Sequence, residues 1–305
     1  MRFHPILLTT LLCSLVPLAA QDTKPAPAKL RVHIIGASVS GGFCDGPLFG
    51  AKEQGDSVTL QVVLKKWAGE QARATTHSTT DMTQMFMDPP RIGKAQIDGV
   101  AKAKPDLVVG IDFPFWFAYG RAGGDEAEAR KAKLAEGLAL LEKLEMPVLL
   151  GDLPDMKGAA KRMLQPSWIP SPEVLKQLNE QLAAFVAAHE NMHLVPLSAF
   201  VTKMKGNDAT LPLAGGPLAI APGALLQEDR LHATRLGMAL LGHSLQDPLR
   251  ALFPKDHPLR EQKWKFEQFV EAVGAEAELQ TLQEAAKKEA AKKEPAGAGA
   301  GTKGG

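Results

Sequence analysis

Short apolar runs alternate with longer amphipathic segments from Leu30 onward, and this alternation constrains the fold more than any other feature. Four runs have the length and content of buried strands, and a fifth, 74–78, is typical of an edge strand. The other predicted strands are 30–36, 105–111, 147–151 and 193–197, and the predicted helices are 57–67, 91–104, 126–145, 172–189 and 234–252. The pattern predicts an α/β fold, with a mostly parallel sheet covered by helices on both faces. Ligands of such sheets bind at the carboxyl ends of the strands.

The two ends of the chain differ from this pattern. Residues 6–20 are apolar, short for a membrane span and followed by a polar stretch, which favours a secretory signal peptide cleaved after Ala20. An uncleaved anchor is the alternative. We therefore expect a secreted or periplasmic protein with no stable membrane span after processing. The predicted division is a signal peptide 1–20, a flexible lead-in 21–29, a main domain 30–253, a helical extension 254–294 and a disordered tail 295–305.

Charge and cysteine content narrow the classes of partner. The formal net charge is +1, which gives no reason to expect a nucleic-acid partner. Signal cleavage would leave Cys44 as the single cysteine, so an internal disulfide is not expected. Cys44 lies near Ser38 in sequence and is either a reactive thiol or a small apolar filler. No convincing metal-ligand pattern is present, and no metal or organic cofactor is predicted. The oligomeric state is left open.

A serine near the start of the chain and an Asp-x-x-His motif near its end are the main candidates for chemistry. Ser38 follows the first predicted strand, and Asp229 and His232 lie far downstream. A serine nucleophile needs a base to take its proton, and the base needs a carboxylate to orient it. Taken alone, Ser38 would be a turn or cap residue, and His232 a helix-start residue capped by Asp229. Together they predict a catalytic Ser-His-Asp site.

These motifs resemble those of the SGNH (GDSL-like) hydrolases over about 30–253. The family's first strand ends in Gly-Asp-Ser, which 36–38 (Gly-Ala-Ser) matches with one change. Its last block, Asp-x-x-His-Pro-Thr with a following Gly, is matched by 229–234 (Asp-Arg-Leu-His-Ala-Thr) and Gly237. The resemblance implies a flavodoxin-like three-layer α/β/α sandwich in which Ser38 attacks an ester, His232 is the base and Asp229 orients it. The implied substrate is a small-molecule or carbohydrate-linked ester, such as an acyl, acetyl or lipid ester.

The third block of the family is altered here. SGNH enzymes have Gly-x-Asn-Asp, whose Asn donates to the oxyanion, whereas 110–113 reads Gly-Ile-Asp-Phe. An ionised Asp112 only accepts hydrogen bonds, and one lost donor costs about 3–4 kcal/mol of transition-state stabilisation. Asp112 could be held protonated by its aromatic neighbours, or Arg73 or Arg121 could offset its charge. The other oxyanion and pocket candidates are Gly110, Thr76, His77, Ser78 and Thr79. The family's second block supplies a Gly as an oxyanion donor, but 74–84, where this block is expected, contains no glycine and could be a polar surface loop.

The stretch 113–120 is rich in aromatic residues and follows the third-block strand. Phe113, Phe115 and Trp116 are predicted to wall the substrate pocket, with a core plug as the alternative. Two rival functions are open. Asp112 could abolish ester chemistry and leave an SGNH-like binding protein, or the aromatic stretch could exclude water and favour an acyltransferase.

Overall fold

The computed structural model describes residues 29–44, 58–76 and 79–293. The predicted signal peptide, most of the lead-in and the tail lie outside the described residues, as do His77 and Ser78. The side chains of Arg73, Thr76 and Thr79 lie outside them too. Within the described ranges, no helix has the length and apolar character needed to cross a membrane.

Five parallel strands form the central sheet in the order β2-β1-β3-β4-β5. The strands are β1 Leu30–Ile34, β2 Ala72–Thr76, β3 Leu107–Gly110, β4 Val148–Gly151 and β5 Met192–Val195. This is the flavodoxin-like order, and the chain changes direction across the sheet between β1 and β3. The predicted fold class is therefore confirmed, including the edge position of β2. A crevice is expected where the carboxyl ends of β1 and β3 diverge.

Helices cover the sheet on both faces. They are α1 Ser38–Gly41, α2 Leu60–Ala68, α3 Thr79–Thr83, α4 Pro89–Ala103, α5 Phe115–Ala118, α6 Glu126–Leu141, α7 Pro172–Ala187, α8 Leu197–Lys205, α9 Arg235–Leu252, α10 Phe266–Val273 and α11 Glu276–Lys293. In one layer α4, α6 and α7 pack in series, and in the other α2, α9 and α10 pack together. Right-handed crossovers account for this division, because the chain runs in one direction from β1 to β2 and in the other from β2 to β5.

Local hydrogen bonds explain why the predicted helices begin close to their expected positions. The side chains of Asp88, Asp125, Ser171 and Thr234 each accept a backbone N–H from the first turn of α4, α6, α7 and α9. Thr59 caps α2, whereas the predicted cap, Ser57, lies outside the described residues.

A hairpin, the helix α8 and the short helices α1, α3 and α5 were not predicted. The hairpin is antiparallel and joins β6 Thr210–Leu213 to β7 Gly216–Ala219, and α8 follows β5 directly. Beyond Pro254, α10 packs against α9 and α2 and buries Phe266 and Phe269. The helical extension therefore shares the hydrophobic core of the main domain.

Candidate active site

The turn that carries Ser38 is held by the buried side chains of Gln96, which binds Gly36, and Asp112, which binds Ser40. Gly36 has φ of +146°, and a Cβ at this position would lie 2.1 Å from Asp112 Oδ1, so only glycine fits. Gln96, from α4, accepts the Gly36 N–H through Oε1 at 2.8 Å and donates from Nε2 to the Gly36 carbonyl at 2.8 Å. Ser38 is then the first residue of α1 and is 7% exposed.

Ser38, His232 and Asp229 lie in hydrogen-bonding series. His232 Nε2 lies 2.7 Å from Ser38 Oγ, and His232 Nδ1 lies 2.5 Å from Asp229 Oδ2. Asp229 and His232 are 0% and 2% exposed. Residues 194 positions apart are thus placed in direct contact at the carboxyl end of β1.

The loop that carries Asp229 and His232 is closed on itself. Leu226 and Ala233 form an antiparallel bridge, and the Gln227 amide donates to the carbonyls of Ala233 and Phe43. Arg230 takes a left-handed φ of +58°, which turns the chain between the two site residues. The Phe43 ring contacts the His232 ring with centroids 4.4 Å apart and an interplanar angle of 36°. These contacts link the loop to the segment that follows the nucleophile.

The environment of Asp229 keeps it ionised. Burial acts to raise the pKa of the Asp229 carboxyl, but the hydrogen bond and charge of His232 and two backbone donors outweigh burial. The donors are the N–H groups of Leu231 and His232, at 2.8 and 3.0 Å from Oδ1. The net pKa is below its ordinary value, so Asp229 is a carboxylate able to orient and stabilise a charged imidazole.

The carboxyl group of Asp112 is hydrogen-bonded to Ser40 and borders the cavity next to Ser38. Its Oδ1 lies 2.6 Å from Ser40 Oγ, and its Oδ2 accepts the Ser40 N–H at 3.1 Å. Asp112 is 4% exposed, and burial raises the pKa of its carboxyl despite these hydrogen bonds. Arg121 lies elsewhere, in a groove lined by Trp116. The carboxyl group therefore supports the turn that presents Ser38.

The other pocket candidates occupy different places. A Cβ on Gly110 would lie 3.0 Å from Ile35 Cγ1, so Gly110 permits close packing of β3 on the segment after β1. The Ser38 N–H lies in the first turn of a helix and has no hydrogen-bond acceptor among the described residues, as expected for a first-turn amide. It is the backbone donor closest in sequence to the nucleophile.

The aromatic stretch divides between the core and two concave surfaces. Phe113 is fully buried and packs on Phe117 at 5.5 Å between centroids. Phe115 lines a cavity next to Ser38, whereas Trp116 lines a separate groove of about 550 Å³ together with Phe86. Phe113 therefore belongs to the core, whereas Phe115 and Trp116 border concave surfaces, and their role as a substrate wall stays a prediction.

The cavity next to Ser38, which we call the Ser38 cavity, has a volume of about 50 Å³. Ser38 and Asp112 are its polar neighbours. Its apolar lining includes Phe115, Leu197, Phe200, Val201, Met204 and Leu231. Most of these residues come from α8, which the sequence did not predict.

Gln96 and Ser40 are site residues that the sequence reasoning missed. Gln96 is the polar member of the buried stripe of α4, which otherwise consists of Ile92, Gly93, Ile97 and Val100. A glutamine on an apolar stripe is a signal of a buried hydrogen-bonding role. No group of three potential metal ligands occurs within the described ranges.

Several solved structures are distant matches to this chain. No family model and no curated protein matches the chain. Among solved structures, it aligns with an acylhydrolase from Bacteroides fragilis described as putative (16% identity, TM-score 0.45, 74% of this chain and 90% of that one). It also aligns with a psychrotrophic esterase from Pseudoalteromonas sp. (12% identity, TM-score 0.42, 73% and 98%).

A third match is a gut microbial diltiazem-metabolizing enzyme (12% identity, TM-score 0.44), where the alignment covers 72% of this chain and 47% of the other, about half its length. The chemistry of this chain has to be derived from its own side chains.

Proposed function

We propose that this protein is an ester hydrolase that uses Ser38 as nucleophile, His232 as general base and Asp229 as the orienting carboxylate. The observation that carries the proposal is the unbroken series from Ser38 Oγ to His232 Nε2 at 2.7 Å and from His232 Nδ1 to Asp229 at 2.5 Å. This arrangement fits the tautomer with its proton on Nδ1, which leaves Nε2 free to accept the serine proton.

The reaction would proceed through an acyl-enzyme. Ser38 Oγ attacks the ester carbonyl carbon and its proton passes to His232 Nε2. The tetrahedral intermediate then expels the alcohol, which takes the proton from His232. Water attacks the acyl-enzyme while His232 again accepts a proton, and the carboxylic acid leaves as Ser38 is restored. Asp229 remains ionised throughout and stabilises the imidazolium.

The proposed oxyanion donor from the nucleophile turn is the Ser38 backbone N–H. Helix N-termini carry unpaired amides and a partial positive charge, both of which favour an oxyanion. Asp112 is not assigned this role, because both of its oxygens are engaged with Ser40. The Asp112–Ser40 pair instead holds the carboxyl group against the turn that carries Ser38.

The test is intact mass after exposure to a fluorophosphonate, which needs no knowledge of the natural ester. We expect a single adduct on the wild-type protein and none on Ser38→Ala. Ser198→Ala is the matched control, since Ser198 also lies in the first turn of a helix but contacts Asp152. An adduct that persists in Ser38→Ala would refute the assignment, and no adduct on the folded wild type would favour the binding-protein alternative.

We propose that the acyl group passes from Ser38 to water and not to another alcohol. Adding an alcohol acceptor should leave the yield of free acid largely unchanged; a dominant transfer product would favour the acyltransferase.

We also propose that the protein is exported. This proposal rests on the apolar segment 6–20, and the measurement is the N-terminal sequence of protein secreted by an expressing cell. A mature chain that begins near Gln21 is expected, and an intact N-terminus would contradict cleavage.

A further inference from the structure

The Ser38 cavity offers a ligand almost nothing but apolar contacts. Its buried lining residues include Val201, Met204 and Leu231. Among the described residues that line it, Asp112 is the one ionisable group, and it already accepts hydrogen bonds from Ser40. A charged or strongly polar group placed there would lose its hydration without gaining a partner. The chemistry of the lining therefore selects an alkyl group.

The position of the cavity identifies which part of an ester would enter it. Ser38 itself lines the cavity, so an alkyl group inside lies next to the atom that attacks the carbonyl. The part of an ester that stays bonded to Ser38 after the alcohol leaves is the acyl group. A cavity that shares a wall with the nucleophile is thus suited to hold the acyl chain through both halves of the reaction.

The volume limits the length of that chain. A cavity needs about 10–15 Å³ to hold one water molecule, and an apolar cavity of about 150 Å³ accommodates benzene. The Ser38 cavity, at about 50 Å³, lies between these limits. We propose that it is the acyl-binding site and restricts the substrate to esters of short, unbranched aliphatic acids of roughly two to four carbons. This proposal rests on the proposed function.

Two side chains of α8 close the far side of the cavity. Phe200 and Met204 line the Ser38 cavity and also a second cavity of about 260 Å³. They therefore separate the small cavity from the larger one. Shortening Met204 should join the two and admit a longer chain, which makes the proposed length limit a property of a single side chain.

The experiment is the kcat/KM of a p-nitrophenyl ester series with acetyl, butyryl and octanoyl groups. A methylene that finds no room in an apolar pocket changes kcat/KM by about 10-fold to 200-fold. We expect wild-type protein to prefer butyrate over octanoate by at least about tenfold, and Met204→Ala to raise the octanoate-to-butyrate ratio by about tenfold or more. Val201→Phe should lower butyrate turnover more than acetate turnover.

Met192→Ala is the matched control. Met192 and Met204 are both 4% exposed, but Met192 lies in β5 and does not line the cavity, so its truncation should leave the ratio unchanged. Equal ratios in the two methionine variants would overturn the proposal. If neither α8 variant folds, the wild-type series decides, because octanoate turnover equal to butyrate turnover also overturns it.

The two proposals fail in different ways. A fluorophosphonate adduct and ester turnover without the short-chain preference would remove the acyl-site assignment and leave the hydrolase assignment standing. Absence of both the adduct and turnover in folded protein would remove both.

Discussion

Two pairs of aspartate and serine hold the starts of two helices in nearly the same way. Ser40 donates its N–H to Asp112 at 3.1 Å, with its Oγ 2.6 Å from the other oxygen. Ser198 donates its N–H to Asp152 at 2.5 Å, with its Oγ also 2.6 Å from the second oxygen. In each pair, the aspartate follows one strand and the serine belongs to the helix after the neighbouring strand. The sheet thus brings a carboxylate to a helix start twice.

The two pairs differ in burial and in what they support. Asp112 is buried and contacts the turn of the proposed nucleophile, whereas Asp152 is half-buried and supports α8, which walls the Ser38 cavity. Water can replace a lost hydrogen bond at Asp152 but not at Asp112. The comparison teaches that the same local arrangement can be a helix cap at one sheet position and part of an active site at another.

Gly36→Ala should have the largest effect, because it disrupts the buried pair directly. The new Cβ would approach Asp112 Oδ1 to 2.1 Å in a backbone conformation that alanine disfavours. Strain and overpacking together predict a loss of about 2–6 kcal/mol in the free energy of unfolding. Urea unfolding measures it. Gly123→Ala is the control, since nothing lies within 4 Å of its Cβ position, and equal losses in the two variants would contradict the prediction.

Removing each carboxyl group tests the difference between the pairs. Asp112→Ala leaves a buried N–H and hydroxyl of Ser40 unsatisfied, which should cost about 2–4 kcal/mol of unfolding free energy. Asp152→Ala should cost about 1 kcal/mol, because water reaches Ser198. Only Asp112→Ala should slow fluorophosphonate labelling, by about 100-fold, through displacement of Ser38.

The labelling rate of folded protein separates this positioning role from stability alone. Equal labelling rates in Asp112→Ala and Asp152→Ala would show that the buried pair does not position the nucleophile. A slower rate in both variants would mean that the two pairs are equivalent in function as well as in geometry.

The pH dependence of stability is the smallest expected effect and isolates the charge of Asp112. Its folded pKa is raised above 3.8 by burial, so this group's contribution to stability is full below that value and lost as pH rises through the raised pKa. Asn carries no charge. The unfolding free energy of Asp112→Asn relative to wild type should therefore increase as pH rises above about 4.

Thermal or urea unfolding across this pH range gives the difference between the two proteins. The lowered pKa of Asp229 acts in the opposite direction, with stability lost as pH falls, but it is common to both and cancels. A difference that stays flat or decreases with pH would show that Asp112 is not destabilised by its charge.

The sequence was most informative where periodicity or spacing carries a direct physical meaning. Buried strands and amphipathic helices follow from the pattern of apolar residues, and the helix starts agree with side-chain caps such as Asp88 and Ser171. The hairpin of β6 and β7 was missed because its strands are short and pair Pro212 with Pro217, which weakens any strand pattern. The residue before α8, Pro196, makes no side-chain cap, and the carboxylate that accepts a first-turn N–H of α8 comes from the distant Asp152, so the start of α8 carried no local signal.

The sequence by itself determined the α/β alternation and the candidates Ser38, Asp229 and His232, because strand exits and a three-residue spacing are local properties. Only the tertiary structure decided where side chains from distant segments point. It turned Asp112 toward Ser40, placed Gln96 against Gly36 and brought α8 around the Ser38 cavity. These contacts join residues far apart in the chain, and their geometry depends on packing across the sheet, which no local pattern records.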